Sequence, residues 1–176
     1  VAFFRGMKRY LEANRGKNVV TADFARAVEE ATSSNIDQFL AQWVYGAGAP
    51  PFDLRYAYDA AKKEVRLEIQ QTQKLEGRAG LFRVPVEVEV TTAAGAKSYP
   101  IIVSKEAETF AFPADTAPLL VLFDKGGQIL KNADFHKETM EWIYQLKNAS
   151  ELADRADAAL ALAKIKNDDA VIAVLG

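Results

Sequence analysis

The sequence contains no cysteine and a single histidine, His136, among its 176 residues. Disulfides, thiol nucleophiles and thiolate metal sites are thereby excluded, and a centre built on two or three imidazoles cannot be assembled from this chain. The lack of cysteine leaves the compartment open. Excess charge of one sign is missing too: 22 Lys and Arg stand against 24 Asp and Glu, for a formal net charge of -2. Without a basic block or stripe, the electrostatic footprint of a nucleic-acid binder is absent. No apolar run approaches the roughly 20 residues that span a bilayer, and residues 1–10 lack signal-peptide anatomy. What the chain does have is apolar side chains, 49% of its residues, which is enough for a core without staples.

Those apolar residues are most regular from Phe82 to Val90, where Phe82, Val84, Val86, Val88 and Val90 alternate with Arg83, Glu87 and Glu89. That period of two describes a strand with one buried face, and such a strand requires partners. Upstream the rhythm is helical. Phe3, Phe4, Met7, Tyr10 and Leu11 share a face before a stop at Asn14-Arg15-Gly16, and Thr21 is placed to cap a second helix with Phe24, Ala27, Val28 and Ala31 inside. Asn35 and Gln38 resemble a capping box ahead of Ile36, Phe39, Leu40, Trp43 and Val44, and Gly46 ends this third helix. The run Gly46-Ala47-Gly48-Ala49-Pro50-Pro51 breaks helix and sets the first boundary, so residues 1–49 form a helical part.

From Phe52 the period changes to two. Phe52 to Tyr58 and Val65 to Ile69 form a hairpin around a turn at Asp59–Lys63, and a polar connection at Gln71–Gly80 leads into the Phe82 strand. Tyr99 to Val103, Phe110 with Phe112, the continuous run Pro118–Phe123 and Gln128–Lys131 complete about seven short strands. The architecture this implies is α+β: a central antiparallel β-sandwich over 50–131, roughly immunoglobulin-like, flanked by helices at both ends. Pro85 and Pro100 each remove a ladder donor, which places their strands at an edge or a bulge. Helical spacing returns over 132–176, with Asp134 capping a helix that buries Phe135, Trp142, Ile143 and Leu146. Ser150 caps another through Leu160 and Ala163, and Asn167-Asp168-Asp169 opens a third. Short alanine-rich helices joined by acidic caps resemble the start of a helical solenoid.

Few residues invite a chemical role. His136 beside Lys137 reads as a solvated side chain on the outer face of its helix, and Glu87 with Glu89 as the wet face of a strand rather than an acid/base pair. Gly126-Gly127 lacks the Lys-Ser/Thr of a phosphate loop and reads as a hairpin turn. Trp43, Trp142, Tyr56 and Tyr58 are assigned mostly to the core rather than to a ligand platform, and Asp168 and Asp169 to a helix cap rather than a calcium loop. The expectation is therefore no catalytic, metal-binding or cofactor-binding residue in the chain. Because it opens on Val1 inside a helix and closes at Gly176 after an apolar helical run, it reads as a piece of a larger protein.

Thr21-Ala22-Asp23-Phe24, Ala27–Ala31, Ile36-Asp37 and Phe39–Trp43, followed by Gly48-Ala49-Pro50, resemble the end of the catalytic domain in the M1 family of zinc aminopeptidases. Gln70-Gln71-Thr72-Gln73, Phe82-Arg83-Val84-Pro85-Val86, Phe110, Phe112 and Asp124–Lys131 look like that family's β-sandwich. Asp154-Arg155-Ala156 to Ile165 is similar to the first helices of its carboxy-terminal solenoid. The resemblance covers essentially the whole chain in family order. It implies a parent enzyme that removes amino-terminal residues from peptides with zinc held by an H-E-x-x-H helix and a later glutamate, the motif's own glutamate acting as general base. This chain lacks that motif and the Gly-x-Met-x-Asn type substrate-amine site, so no catalytic or metal role is carried over and zinc belongs to the parent. The implied partner is the upstream catalytic domain, which would cover the inner faces of the first helices; alone, those faces would pack on the sandwich or drive association. The alternative is a non-enzymatic binding or scaffold module, with a sheet edge as its contact surface.

Overall fold

Residues 2–75, 80–166 and 168–175 are described by the structure, a computed structural model. The chain divides into two units, one reaching to Gly48 and the other running from Ala49 to Leu75 and onward from Leu81.

The first unit is built on the closeness of two helices, α1 (Ala2–Ala13) and α2 (Thr21–Thr32). A Cβ added to Gly6 would lie 2.8 Å from Val28 Cγ2, so glycine is what lets the backbones approach. Phe24 meets Phe3 and Tyr10 edge-on, with centroids 6.3 and 5.5 Å apart. The cap expected at Thr21 is displaced by one residue. Val20 is the extended N-cap, and because valine offers no acceptor, the Asp23 carboxylate completes the motif by taking the Val20 N–H at 3.0 Å. Asn35 Oδ1 accepts the Asp37 N–H at 2.9 Å ahead of α3 (Asp37–Leu40), which passes directly into a π-helical turn, Ala41–Tyr45. The turn gives way to extended backbone at Gly46, and glycine is needed there because a Cβ would lie 2.5 Å from the Gln42 carbonyl oxygen.

In the second unit, alternation becomes two stacked sheets. Strands β1 (Pro51–Asp59), β2 (Glu64–Gln71), β3 (Val84–Thr92), β4 (Gly95–Val103), β5 (Ala107–Pro113), β6 (Leu120–Phe123) and β7 (Asn132–Phe135) are ordered β5-β2-β1-β7 in one sheet and β4-β3-β6 in the other. Phe52, Leu54, Val65, Leu67 and Ile69 from the first sheet meet Val84, Val86, Val88, Val90 and Val121 from the second, all buried. Phe52 packs on Phe123 at a centroid distance of 5.2 Å. The β1–β2 turn is an Asx turn, Asp59 Oδ1 accepting the N–H groups of Ala61 and Lys62 at 3.0 Å each. The β-sandwich flanked by helices is thus the observed α+β architecture.

Several details differ from the sequence expectation. Gln128–Lys131 is not a strand, because the Asp124 side chain takes up its backbone donors; the seventh strand is Asn132–Phe135, and it pairs with β1 in parallel. Asp134 therefore lies in a strand, not at a helix cap, and the next helix, α4, starts only at Thr139 (Thr139–Asn148). Pro100 does lie on an edge strand, but Pro85 lies on the central one. It is tolerated because β6 pairs only with Val88–Thr91, leaving the Pro85 stretch a single neighbour among the described residues. Of the polar connection Gln71–Gly80, Gln71 ends β2, and residues 76–79 lie outside the described residues, as does Asn167.

Gln71 ties the two sheets together. It is 2% exposed; its Nε2 donates to the carbonyls of Phe82 (2.8 Å) and Lys105 (3.2 Å), and its Oε1 accepts the Phe82 N–H at 2.9 Å. Gln71→Met keeps the volume and removes every one of these bonds. It is expected to lower stability by about 1–3 kcal/mol in urea denaturation, the cost of buried groups losing partners; an unchanged midpoint would show that the bonds contribute nothing net.

Candidate functional site

Polar side chains converge where the sandwich meets the carboxy-terminal helices, α4, α5 (Leu152–Leu162) and α6 (Asp169–Leu175). The helices share an apolar cluster of Ile143, Leu162 and Val171, with Trp142, Leu146, Ile165 and Val174 against it. β6 is buried on both faces, and α4 packs against it. This covering explains why Glu89 is not on a wet face as expected. Leu122 stands opposite it in β6, it is 9% exposed, and its Oε2 is 2.5 Å from Lys125 Nζ, whose pKa this bond raises.

The β6–β7 connection is organised by Asp124, in left-handed conformation (φ 59°) and 2% exposed. Its Oδ1 accepts the Gln128 N–H at 3.0 Å; its Oδ2 accepts the Ile129 N–H at 3.1 Å and Lys131 Nζ at 2.5 Å. Gly126 and Gly127 follow at φ 75° and 65°, and the Gly126 N–H donates to the buried Asp154 carboxylate at 3.1 Å. Gly126-Gly127 is indeed a turn, although the strands it joins belong to different sheets and form no hairpin.

Next to this junction a cavity of about 260 Å³ is lined by Leu54, Leu122, Phe135, Lys137, Trp142 and Asp154, among others. Lys137 Nζ lies 4.3 Å from the Phe135 ring centroid and 4.6 Å from that of Trp142, and it donates to Gln145 Oε1 at 2.6 Å. Gln145 Nε2 in turn donates to the Asp154 carbonyl at 2.7 Å. Burial pushes the Lys137 ammonium down to about 7, against the pull of Asp154 and Asp157. Burial likewise raises the Asp154 carboxyl, opposed by the Gly126 N–H.

A second group lies on the face of the first sheet. His136 is not on a helix: its N–H donates to the Leu54 carbonyl at 2.9 Å, which extends the parallel ladder one residue past β7 and points its ring to the same side as Asp134. His136 Nε2 lies 3.0 Å from Asp53 Oδ2 and 3.9 Å from Asp134 Oδ2. The hydrogen bond with His136 is the main reason the Asp53 carboxyl is held below its usual range; burial opposes it, and the charges of His136 and Arg55 assist. One donor atom from each of Asp53, Asp134 and His136 lies within 4.8 Å of the others. The sequence reading missed this group because Asp53 and His136 are brought together only by the parallel register.

Of the aromatic residues considered for a platform, Tyr56 packs on Phe135 at 6.0 Å and Trp142 sits under Lys137, while Trp43 belongs to the first unit. Ser150 does not cap α5. Glu151 is its N-cap, and the Ser150 carbonyl instead accepts from Arg155 Nη1 at 2.8 Å. Asp168 does cap α6, its Oδ1 accepting the Ala170 N–H at 2.9 Å.

The Lys137 environment has a pH signature. The folded pKa, about 7, lies below the ordinary 10.5, so between those values the unfolded chain binds more protons and stability rises with pH. Lys137→Met removes that dependence; the orphaned Gln145 Oε1 adds a cost equal at every pH. The variant is expected to compare better with the parent at about pH 6 than at about pH 9. Melting temperatures of both proteins at the two pH values check this, and a constant difference would refute the buried ammonium.

No family model matches the sequence. Transcription initiation factor TFIID subunit 2 of Gallus gallus is 23% identical over 174 aligned positions, and that of Danio rerio 24%. Each alignment covers 83% of this chain and 15% of the relative. Aminopeptidase N of Haemophilus influenzae is 33% identical over 70 residues, 40% of this chain and 8% of that protein. Among solved structures, aminopeptidase A of Legionella pneumophila, in complex with aspartic acid, superimposes over 99% of this chain with a TM-score of 0.78 at 18% identity. The match takes up 21% of the Legionella chain, so the fold described above is that of a segment of that aminopeptidase.

Proposed function

We propose that the chain is a non-catalytic portion of a zinc-dependent aminopeptidase, acting as a spacer and shield beside the active-site cleft of a preceding M1-type catalytic domain. The observation that carries this reading is the superposition on the Legionella aminopeptidase over 99% of the chain, helices, sandwich and helices in one order. The identity to aminopeptidase N supports it. The residues present do not fit the family's catalytic zinc: the sequence holds one histidine and no H-E-x-x-H helix, so no step of peptide hydrolysis is assigned to this chain. Its first unit does fit a domain boundary. Phe4, Leu11 and Val20 are 70%, 62% and 67% exposed, an apolar surface of the kind that a neighbouring domain covers.

A second reading is favoured by the similarity to TFIID subunit 2, which extends over 83% of the chain and carries the name of a subunit of an assembly rather than of an enzyme. On that reading the chain is a scaffold module with no peptidase activity in its parent. The complete reading frame separates the two. An H-E-x-x-H motif upstream, with chelator-sensitive hydrolysis of aminoacyl anilides by the full-length protein, supports the first; its absence, with a stable protein partner recovered in pull-downs, supports the second.

The 176-residue chain alone is expected to leave aminoacyl anilides intact. It is also expected to elute at a larger apparent size as its concentration rises in size-exclusion chromatography. Phe4→Gln combined with Leu11→Gln should reduce that dependence, and an unchanged elution at all concentrations would argue against an interface on this face.

A further inference from the structure

Asp53 and Asp134 stand opposite one another in the parallel register of β1 and β7. Like charges placed so across paired strands repel, and the Arg55 guanidinium and the His136 ring are what face them. Arg55 Nε takes Asp53 Oδ1 at 3.2 Å, which leaves Oδ2 turned to His136 Nε2 at 3.0 Å. The same Nε2 is 3.9 Å from Asp134 Oδ2, whose side chain is 82% exposed and has room to turn. Donor atoms on one tetrahedral ion with arms of about 2.0–2.2 Å stand about 3.3–3.6 Å apart. The two observed separations bracket that edge, and the third lies within 4.8 Å.

We propose that Asp53, Asp134 and His136 bind one dication of the zinc class through two carboxylate oxygens and one imidazole nitrogen, pinning β7 to β1. An imidazole among the ligands selects zinc, nickel or copper over magnesium and calcium, which favour all-oxygen sites. The ion replaces the direct His136–Asp53 contact, takes the neutral imidazole as its ligand and relieves the repulsion of the two carboxylates. Arg55, bonded to the far oxygen of Asp53, orients that carboxylate from behind. The consequence is mechanical: a short edge strand, paired among the described residues only with β1, gains a cross-link ahead of α4.

The test uses the untagged chain and zinc chloride. Because His136 is the only histidine, its imidazole proton signals report the site without assignment. They are expected to shift and saturate at one equivalent of zinc, and to stay put with magnesium. Calorimetric zinc binding is lost in His136→Gln, and Asp53→Asn and Asp134→Asn each weaken it by at least about tenfold, since even outer partners of a ligand set are worth roughly 10–100-fold. Zinc raises the melting temperature of the parent but not of the His136 variant. Imidazole signals unmoved at stoichiometric zinc, or parental affinity in Asp134→Asn, whose exposed side chain the fold does not need, would overturn the proposal and leave an ion pair only.

Discussion

The buried carboxylate of Asp124 is the constraint on which the carboxy-terminal half depends. Leaving β6, the chain must cross from one sheet to the other, and a crossing segment has backbone donors with no ladder to satisfy them. Asp124 supplies the acceptors for Gln128 and Ile129 and is neutralised by Lys131. The positive φ of Asp124, Gly126 and Gly127 gives the tight curvature, and aspartate is among the few side chains that tolerate it. Once the turn is fixed, Asn132 arrives beside Pro50, donating to its carbonyl at 3.0 Å, and β7 has no register to choose. Truncating Asp124 would leave the donors and Lys131 unpaired together, so the turn is held as a unit rather than bond by bond.

Buried polar groups recur at the other seams. Gln71 joins the end of β2 to the start of β3 and to the β4–β5 turn; Gln145 joins Lys137 to α5; Asp154 joins α5 to the Gly126 turn. In each case an apolar side chain of equal size would fill the space but would not fix an orientation. Apolar packing in the sandwich interior is non-directional, so these bonds decide which edges and which helix meet. Their energetic contribution is small beside the area buried by Leu54, Leu67 and the valines of β3, and their role is to choose among packings of similar burial.

What the sequence made legible follows from the same division. β1 to β5 were readable because apolar and polar residue types alternate along them, so the period of two survives in the residues. β6 was readable as a run covered on both faces, and α4 packing on it is the cover. β7 was not readable: Asn132, Ala133 and Asp134 are exposed, the strand is an edge, and the alternation of Asn-Ala-Asp-Phe covers only four residues, too few to separate a strand from a loop. Its strand character comes from β1, far away in sequence. Glu89 was misplaced because alternation shows which face a residue is on but not whether a helix lies over that face. Gln71, read as the start of a polar connection, turned out to be a hub because its partners, Phe82 and Lys105, are set by tertiary structure. The Asp53–Asp134–His136 group failed for the same reason, and only the period-two spacing of Asp134 and His136 was present as a signal.

The weak strand and the junction chemistry are therefore coupled. β7 is four residues long and is held by ladder bonds to β1, by the Phe135–Tyr56 ring contact and by the His136–Asp53 pair. Phe135 and Lys137 straddle His136, and Lys137 lies in the cavity wall with the Phe135 ring beside its ammonium. A slip of β7 by one residue would exchange the faces of Asp134 and Phe135, withdraw that ring from Lys137 and leave Trp142 as the remaining one of the two aromatic rings under the ammonium. The register of one short parallel strand thus sets both the carboxylate–imidazole cluster on the sheet face and the half-buried lysine at the helical junction, and Asp124 sets that register.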